Sequence, residues 1–127
     1  MTEHAHDRLW AVRGAVQVDR NEADPILDAT EELVREVIAR NELSSEAMVS
    51  CIFTVTPDLD AEFPAVAARR LGLDTVPLLC ASEVPVPGAM PRVIRLLVHY
   101  HAAPEHRPVH AYLGETQALR SDLQSAQ

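Results

Sequence analysis

Ten consecutive residues, Arg92 to His101 (RVIRLLVHYH), contain neither glycine nor proline and are dominated by β-branched and long apolar side chains. Such a run reads as a strand, and period-two alternation then places Val93, Arg95, Leu97 and His99 on one side and Ile94, Leu96, Val98 and Tyr100 on the other. Arg95 therefore stands among apolar neighbours in the interior of a strand. A guanidinium taken out of water costs several kcal/mol unless it meets a carboxylate, backbone carbonyls or a bound anion. Arg13, between Val12 and Gly14 in a second apolar run, raises the same question. Two arginines in strand interiors suit an anionic ligand, because the planar guanidinium fork matches a carboxylate bidentately; an ion pair within the protein is the alternative.

The rest of the chain supplies partners for that strand. Residues 9–18 (LWAVRGAVQV) read as a first strand, with Arg13-Gly14 marking a flexible or closely approached backbone. Asn21 or Asp24 can cap a helix and Pro25 fits its first turn. Ile26, Leu27, Thr30, Leu33, Val34, Val37 and Ile38 then recur at helical spacing to about Arg40, opposite a solvated acidic face with Glu31, Glu32 and Glu36. Residues 47–56 (AMVSCIFTVT) form a second β-rich run that Pro57-Asp58 ends. A short helix fits Phe63 to Leu71, stopped by Gly72. Val76 to Cys80 is a third strand whose proline argues for an edge or strand-start position. Pro85, Pro87, Gly88 and Pro91 make a rigid loop, and the last candidate strand is Val109 to Leu113. The pattern indicates one α/β (α+β) domain spanning 1–127, a mixed β-sheet packed by two helices, with residues 1–8 and 121–127 as flexible ends.

Composition removes several chemistries. All 11 basic residues are arginine, so no lysine can form a Schiff base or serve a P-loop. A net charge of −8 with no basic run longer than Arg69-Arg70 does not suit a nucleic-acid backbone. The imbalance is local: residues 1–62 hold 14 Asp/Glu against 5 Arg, and residues 63–127 hold 5 against 6. No apolar stretch approaches the ~20 residues of a membrane span, and the polar N-terminus lacks a signal-peptide core. A cytoplasmic protein with no membrane partner is expected. Cys51 and Cys80 form no CxxC motif, and both are expected to be reduced.

Few residues remain for covalent or metal chemistry. Cys80 has no identifiable base beside it and reads as a half-buried strand cysteine. His99, His101, His106 and His110 invite a metal reading, but no carboxylate at ligand spacing accompanies them, and no metal is expected. Glu83, between the third strand and the proline-rich loop, can pair with Arg95 or accept a hydrogen bond from a ligand hydroxyl.

Five ordered blocks give the chain a family likeness: Ala11-Val-Arg-Gly-Ala15, the run from Thr54 to Ala65 (TVTPDLDAEFPA), Val76-Pro-Leu-Leu-Cys80 followed by Glu83, Arg92-Val-Ile-Arg95, and His110-Ala-Tyr-Leu113 with Ala118-Leu-Arg120. Over residues 9–123 the sequence resembles the AroH-class, bacillary-type monofunctional chorismate mutases. The resemblance implies a homotrimer with a barrel-like core of packed sheets and active sites in clefts between neighbouring subunits. It also implies conversion of chorismate to prephenate in phenylalanine and tyrosine biosynthesis, without a cofactor.

By motif position, Arg13 would hold a substrate carboxylate with Tyr112 assisting. Arg95 would face the ether oxygen of the breaking bond, and Glu83 with the backbone at Cys80 would take the ring hydroxyl. Phe63, Arg69, Leu119 and Arg120 would line or close the cleft. Two positions depart from the bacillary pattern, Val66 in place of lysine and Leu79 in place of threonine, both at the cleft edge. A [3,3] rearrangement needs only a restricted substrate conformer and a donor for the charge growing on the ether oxygen, which agrees with the missing lysine and nucleophile. The same arginines would also serve a non-catalytic trimeric sensor of an acidic metabolite, or a Rid-type imine deaminase.

Overall fold

The computed structural model describes residues 6–120. The expected flexible ends lie outside the described residues over 1–5 and 121–127; Arg8, expected in the flexible start, is already strand. Five strands form one mixed sheet: β1 (Arg8–Gln17), β2 (Met48–Val55), β3 (Leu78–Ser82), β4 (Val93–Ala102) and β5 (Ala111–Tyr112). Their spatial order is β3-β2-β4-β1-β5, with β4 antiparallel to both neighbours and the β2/β3 and β1/β5 pairs parallel. The two expected helices are α1 (Ala23–Asn41) and α2 (Ala65–Arg70). The fold is therefore the mixed α+β arrangement that the pattern indicates.

Alternation along β4 sorts the sheet into two unlike faces. Ile94, Leu96, Val98 and Tyr100 are buried on the face that α1 and α2 cover, beside Val12 and Val16 of β1 and Cys51 and Phe53 of β2. The helix residues expected to face them do so, with Ile26, Leu27, Thr30, Leu33, Val34 and Val37 all buried. On the other face Arg95, Leu97 and His99 are half-exposed, and neither α1 nor α2 lies over them. Gly14 shows why β1 carries a glycine. A Cβ there would come within 2.9 Å of the Leu33 side chain and 3.0 Å of the Ala111 carbonyl oxygen. The strand is continuous through it, so close approach of α1 and β5 is the reason, and flexibility is not.

Three of the boundaries that differ from the sequence expectation do so where backbone or polar groups bond elsewhere, while α2 starts at Ala65, two residues after the expected Phe63. Neither Asn21 nor Asp24 caps α1. The N-cap is Glu22, without a side-chain bond, while the Asn21 amide donates to Asp60 (2.7 Å) and its carbonyl accepts from the Asp60 and Ala61 N–H groups (3.0 Å each). β3 starts two residues late because Pro77 has no N–H to give; its carbonyl accepts from Cys51 before regular pairing begins. It is an edge strand, as its proline requires. β5 is confined to Ala111 and Tyr112, shorter than the expected Val109 to Leu113, because the buried Asn41 side chain pairs with both backbone groups of Val109, accepting at 2.8 Å and donating at 3.0 Å. α2 does stop where Gly72 takes a left-handed conformation, φ 91°.

Gly14→Ala is expected to destabilise the chain by about 1–3 kcal/mol through overpacking against Leu33 and the Ala111 carbonyl. Thermal or urea unfolding measures this, and an unchanged midpoint would show that the α1–β1 contact yields without cost.

Candidate active site

One row of residues crosses the uncovered sheet face. Cross-strand register aligns Ala81 of β3, Thr54 of β2, Arg95 of β4, Ala15 of β1 and Tyr112 of β5. Arg95 is thus flanked on both sides by small side chains that leave room for its guanidinium. Its Nε lies 3.2 Å from Glu83 Oε2, with the Arg95 side chain 40% exposed and that of Glu83 18%. The same carboxylate oxygen accepts a 2.6 Å hydrogen bond from the Thr54 hydroxyl. Glu83 is held from its backbone too, its N–H donating to the Val55 carbonyl at 2.8 Å. The Arg95 Nε–H is buried but poorly aligned with that oxygen, and among the described residues it has no hydrogen-bond acceptor. A charged donor close to its counter-ion, yet without a satisfied bond, is prepared for a ligand.

Arg13 lies on the same face, one step along β1 from Ala15 and opposite Leu97. Its backbone N–H donates to His110 Nδ1 at 3.0 Å. Burial, and then the charges of Arg13 and Arg120, push the His110 pKa below its ordinary value. Both arginines are therefore near one imidazole. Tyr112 is almost fully buried with Ala15 and Val93, and Leu119 and Met90 pack on that cluster.

A second group of residues lies at the β3 edge, on the helix-covered side of the sheet. Phe63, two-thirds exposed, and Cys80 line a depression of about 360 Å³ together with Val55, Leu59 and Pro64. Cys80 pairs in register with buried Phe53, so its side chain turns to the helix-covered face. Arg69 is exposed in the last turn of α2. Another depression, about 460 Å³, is lined by Asp19, Asp28 and Glu32 and would repel an anion. Arg20 at its edge is already paired with Glu22. The arginines thus select the open sheet face as the anion site.

The model for type I chorismate mutases matches residues 9–123. The chain belongs to the type I chorismate mutase family. It is 48% identical over 118 residues to chorismate mutase AroH of Thermus thermophilus, covering 91% of this chain and 97% of that protein. Identity to chorismate mutase AroH of Bacillus subtilis strain 168 is 36% over 117 residues, with 91% and 92% covered. A solved chorismate mutase from Clostridium thermocellum superposes with a TM-score of 0.82 at 40% identity, covering 86% of this chain and 98% of that one. Among the three functions the arginines allow, the family match selects the isomerase: the chain is a chorismate mutase.

Against that identity, the structure brings Arg95, Glu83, Arg13, Tyr112 and Leu119 onto one face of a single chain, with Arg120 near His110. It does not bring Phe63, Cys80 or Arg69 to them. Cys51, beside Cys80, is a buried thiol whose pKa is pushed up to about 12 by burial and by its neighbour, so it is inert core. Three of the histidines that invite a metal reading have other partners: His99 bonds Ser50, His106 bonds the Tyr100 hydroxyl, and His110 accepts from the Arg13 N–H. Sequence reasoning misses Thr54. The signal is there, since alternation in the second strand places Thr54 on the face that Arg95 needs, and a hydroxyl amid Cys51-Ile-Phe53 and Val55 asks for a partner. No helix in the described residues is long and apolar enough to cross a membrane.

Thr54→Val keeps the side-chain shape and removes the donor that fixes Glu83. A hydrogen bond to a charged group is worth about 1.5–3 kcal/mol, so kcat/KM should fall on the order of tenfold or more in steady-state assays of chorismate loss. Unchanged kinetics would show that Arg95 alone orients Glu83.

Proposed function

We propose that this mutase works as a homotrimer in the cytoplasm, with each active site in a cleft between two copies. The observation that carries the reading is the Arg95–Glu83–Thr54 cluster on the sheet face that neither α1 nor α2 covers. That face also leaves Leu9 (51%) and Leu79 (61%) exposed, with Ile52 and Leu97 half-exposed between them. The arginine-bearing group and the Phe63–Cys80 group sit on opposite faces of one sheet. A neighbouring copy can bring the second group over the first, closing a cleft that one chain leaves open. Two free cysteines suit a reducing compartment.

In this reading Arg13 grips one carboxylate of the substrate dianion, helped by Tyr112, and so fixes the folded conformer in which the ends of the rearranging system meet. Within that conformer one carbon–oxygen bond breaks as one carbon–carbon bond forms, and no atom or proton enters or leaves. Negative charge grows on the ether oxygen, and the Arg95 guanidinium stabilises it. Glu83 and the backbone at Cys80 take the ring hydroxyl, which sets the ring against Arg95. Phe63 and Leu119 exclude water, while Arg69 and Arg120 close the cleft over the second carboxylate. Leu79 and Val66 cannot donate hydrogen bonds from their side chains, so this enzyme relies on its arginines at the cleft edge. A rate gain on the order of 10⁶ corresponds to roughly 8 kcal/mol, of which one positioned donor can supply about 3–4.

Purified chain at micromolar concentration should consume chorismate and form prephenate, and sedimentation should give three chain masses. Arg95→Ala should lower kcat at least about 100-fold with the trimer intact; retention of activity would make Arg95 an ion-pair partner only. Because no proton moves in the chemical step, kcat should stay nearly constant from about pH 7 to 9, and a bell-shaped profile across that interval would contradict the mechanism.

A further inference from the structure

His110 belongs to neither group of substrate-contacting residues, yet its ring, its carbonyl and the residue before it are all hydrogen-bonded. Its Nδ1 accepts the Arg13 backbone N–H at 3.0 Å. Its carbonyl accepts from Arg40 Nη1 at 3.1 Å, and the preceding residue, Val109, is clamped by both polar atoms of Asn41. The parallel β1/β5 ladder covers only Gly14–Ala111 and Ala15–Tyr112. The imidazole extends that ladder by one step, replacing a backbone carbonyl as acceptor for the residue whose side chain faces the site.

We infer that His110 is a positioning residue for the substrate grip: as the neutral ring protonated at Nε2, it locks the β1 backbone at Arg13 to the end of α1 through Nδ1. This inference rests on the family activity and on Arg13 holding a carboxylate. An acceptor Nδ1 cannot carry a proton, so the bond exists only in the neutral ring. The charged groups facing the ring are Arg13 from β1 and Arg120 beyond the 3-10 turn Gly114–Gln117. From α1, Arg40 reaches the carbonyl only and is itself held by Glu36. Burial and the two guanidiniums lower the pKa, which keeps the ring neutral at physiological pH. Protonation would convert the acceptor into a donor aimed at an N–H and place a third cation beside Arg13 and Arg120.

The sign of the pH effect follows. A histidine whose folded pKa lies below its ordinary value of about 6.5 contributes stability above that value and loses it as pH falls through the folded pKa. The grip loosens over the same interval. Arg13 holds a carboxylate that is present both before and during the rearrangement, so loosening its anchor falls mainly on KM, with a smaller loss of kcat from the less firmly fixed conformer.

His110→Asn and His110→Ala separate this role from simple packing. The Asn Oδ1 occupies the place of Nδ1, accepts the same bond and does not titrate. His110→Ala is expected to raise KM for chorismate about tenfold or more with kcat within about threefold, and His110→Asn to return KM to within about threefold of the parent. As pH falls through the folded pKa, which lies below about 6.5, the KM of the parent should rise while that of His110→Asn stays level. Long-range proton–nitrogen NMR of the parent at about pH 7.5 should show the His110 proton on Nε2. Equal KM for His110→Ala and the parent, a His110→Asn variant as impaired as His110→Ala, an acid rise in KM that persists in His110→Asn, or a proton on Nδ1 would each overturn the inference. Absence of mutase activity in the parent would instead refute the functional reading, and the NMR result would still decide the geometry.

Discussion

The structure is organised around the cost of keeping Arg95 in its central strand. β4 is bonded on both sides, so Arg95 rises from the middle of the sheet face, with its Nε buried and its side chain 40% exposed. Its guanidinium is tolerated because the cross-strand neighbours are small, Thr54 and Ala15, and because Glu83 arrives from the end of β3 to balance the charge. Burying a charge is acceptable when it is paired and costly when it is not. The pair is only partly satisfied: Glu83 Oε2 is shared with Thr54, and the Arg95 Nε–H lacks an aligned acceptor among the described residues. Folding therefore holds the cation near its partner without consuming all its hydrogen-bonding capacity, and the remainder is left for a substrate.

That arrangement depends on a strict division between the two faces of the sheet. The helix-covered face carries nearly all of the core, including Phe53, Ile94 and Tyr100, and it fixes the register of every strand. A one-residue slip would carry Arg95 into that core. Gly14 allows α1 to sit close enough for Leu33 and Val37 to pack against β1, and the same close packing brings Asn41 and Arg40 at the end of α1 to Val109 and His110. Core packing on one side of the sheet is thus transmitted to Arg13 on the other through hydrogen bonds from the Asn41, Arg40 and His110 side chains to backbone groups.

Period-two alternation makes the sheet legible in the amino-acid sequence. It separates Arg95 from Ile94 and Leu96 correctly, and the 3-4 spacing of Ile26 to Val37 identifies the covering helix. Composition and motif order point to the family, and through it to Arg13, Glu83, Tyr112 and Leu119. What escapes is set by long-range polar contacts that carry no periodic signal. Asn21 resembles an N-cap but is claimed by Asp60 and Ala61, about 40 residues away. Val109 to Leu113 has strand composition, yet Asn41 and His110 supply two of the hydrogen bonds that a longer strand would have made. Thr54 is hidden by its β-propensity, since threonine in a strand needs no functional explanation.

The placement of charge in a single chain also explains why composition alone misleads about the ligand. The acids concentrate on α1 and around the depression at Asp19, Asp28 and Glu32, on the helix side of the molecule. Arg13 and Arg95 lie on the opposite side of the sheet, and exposed acid–base pairs such as Arg35–Glu31 and Arg40–Glu36 absorb charge locally on α1. With a Debye length of about 8 Å at physiological ionic strength, the acidic helix surface is largely screened from the arginine face. Net charge then describes the far surface, while the field at the site is set by its nearest groups: several guanidiniums against the one carboxylate of Glu83. A dianion approaching an acidic protein from that side meets attraction.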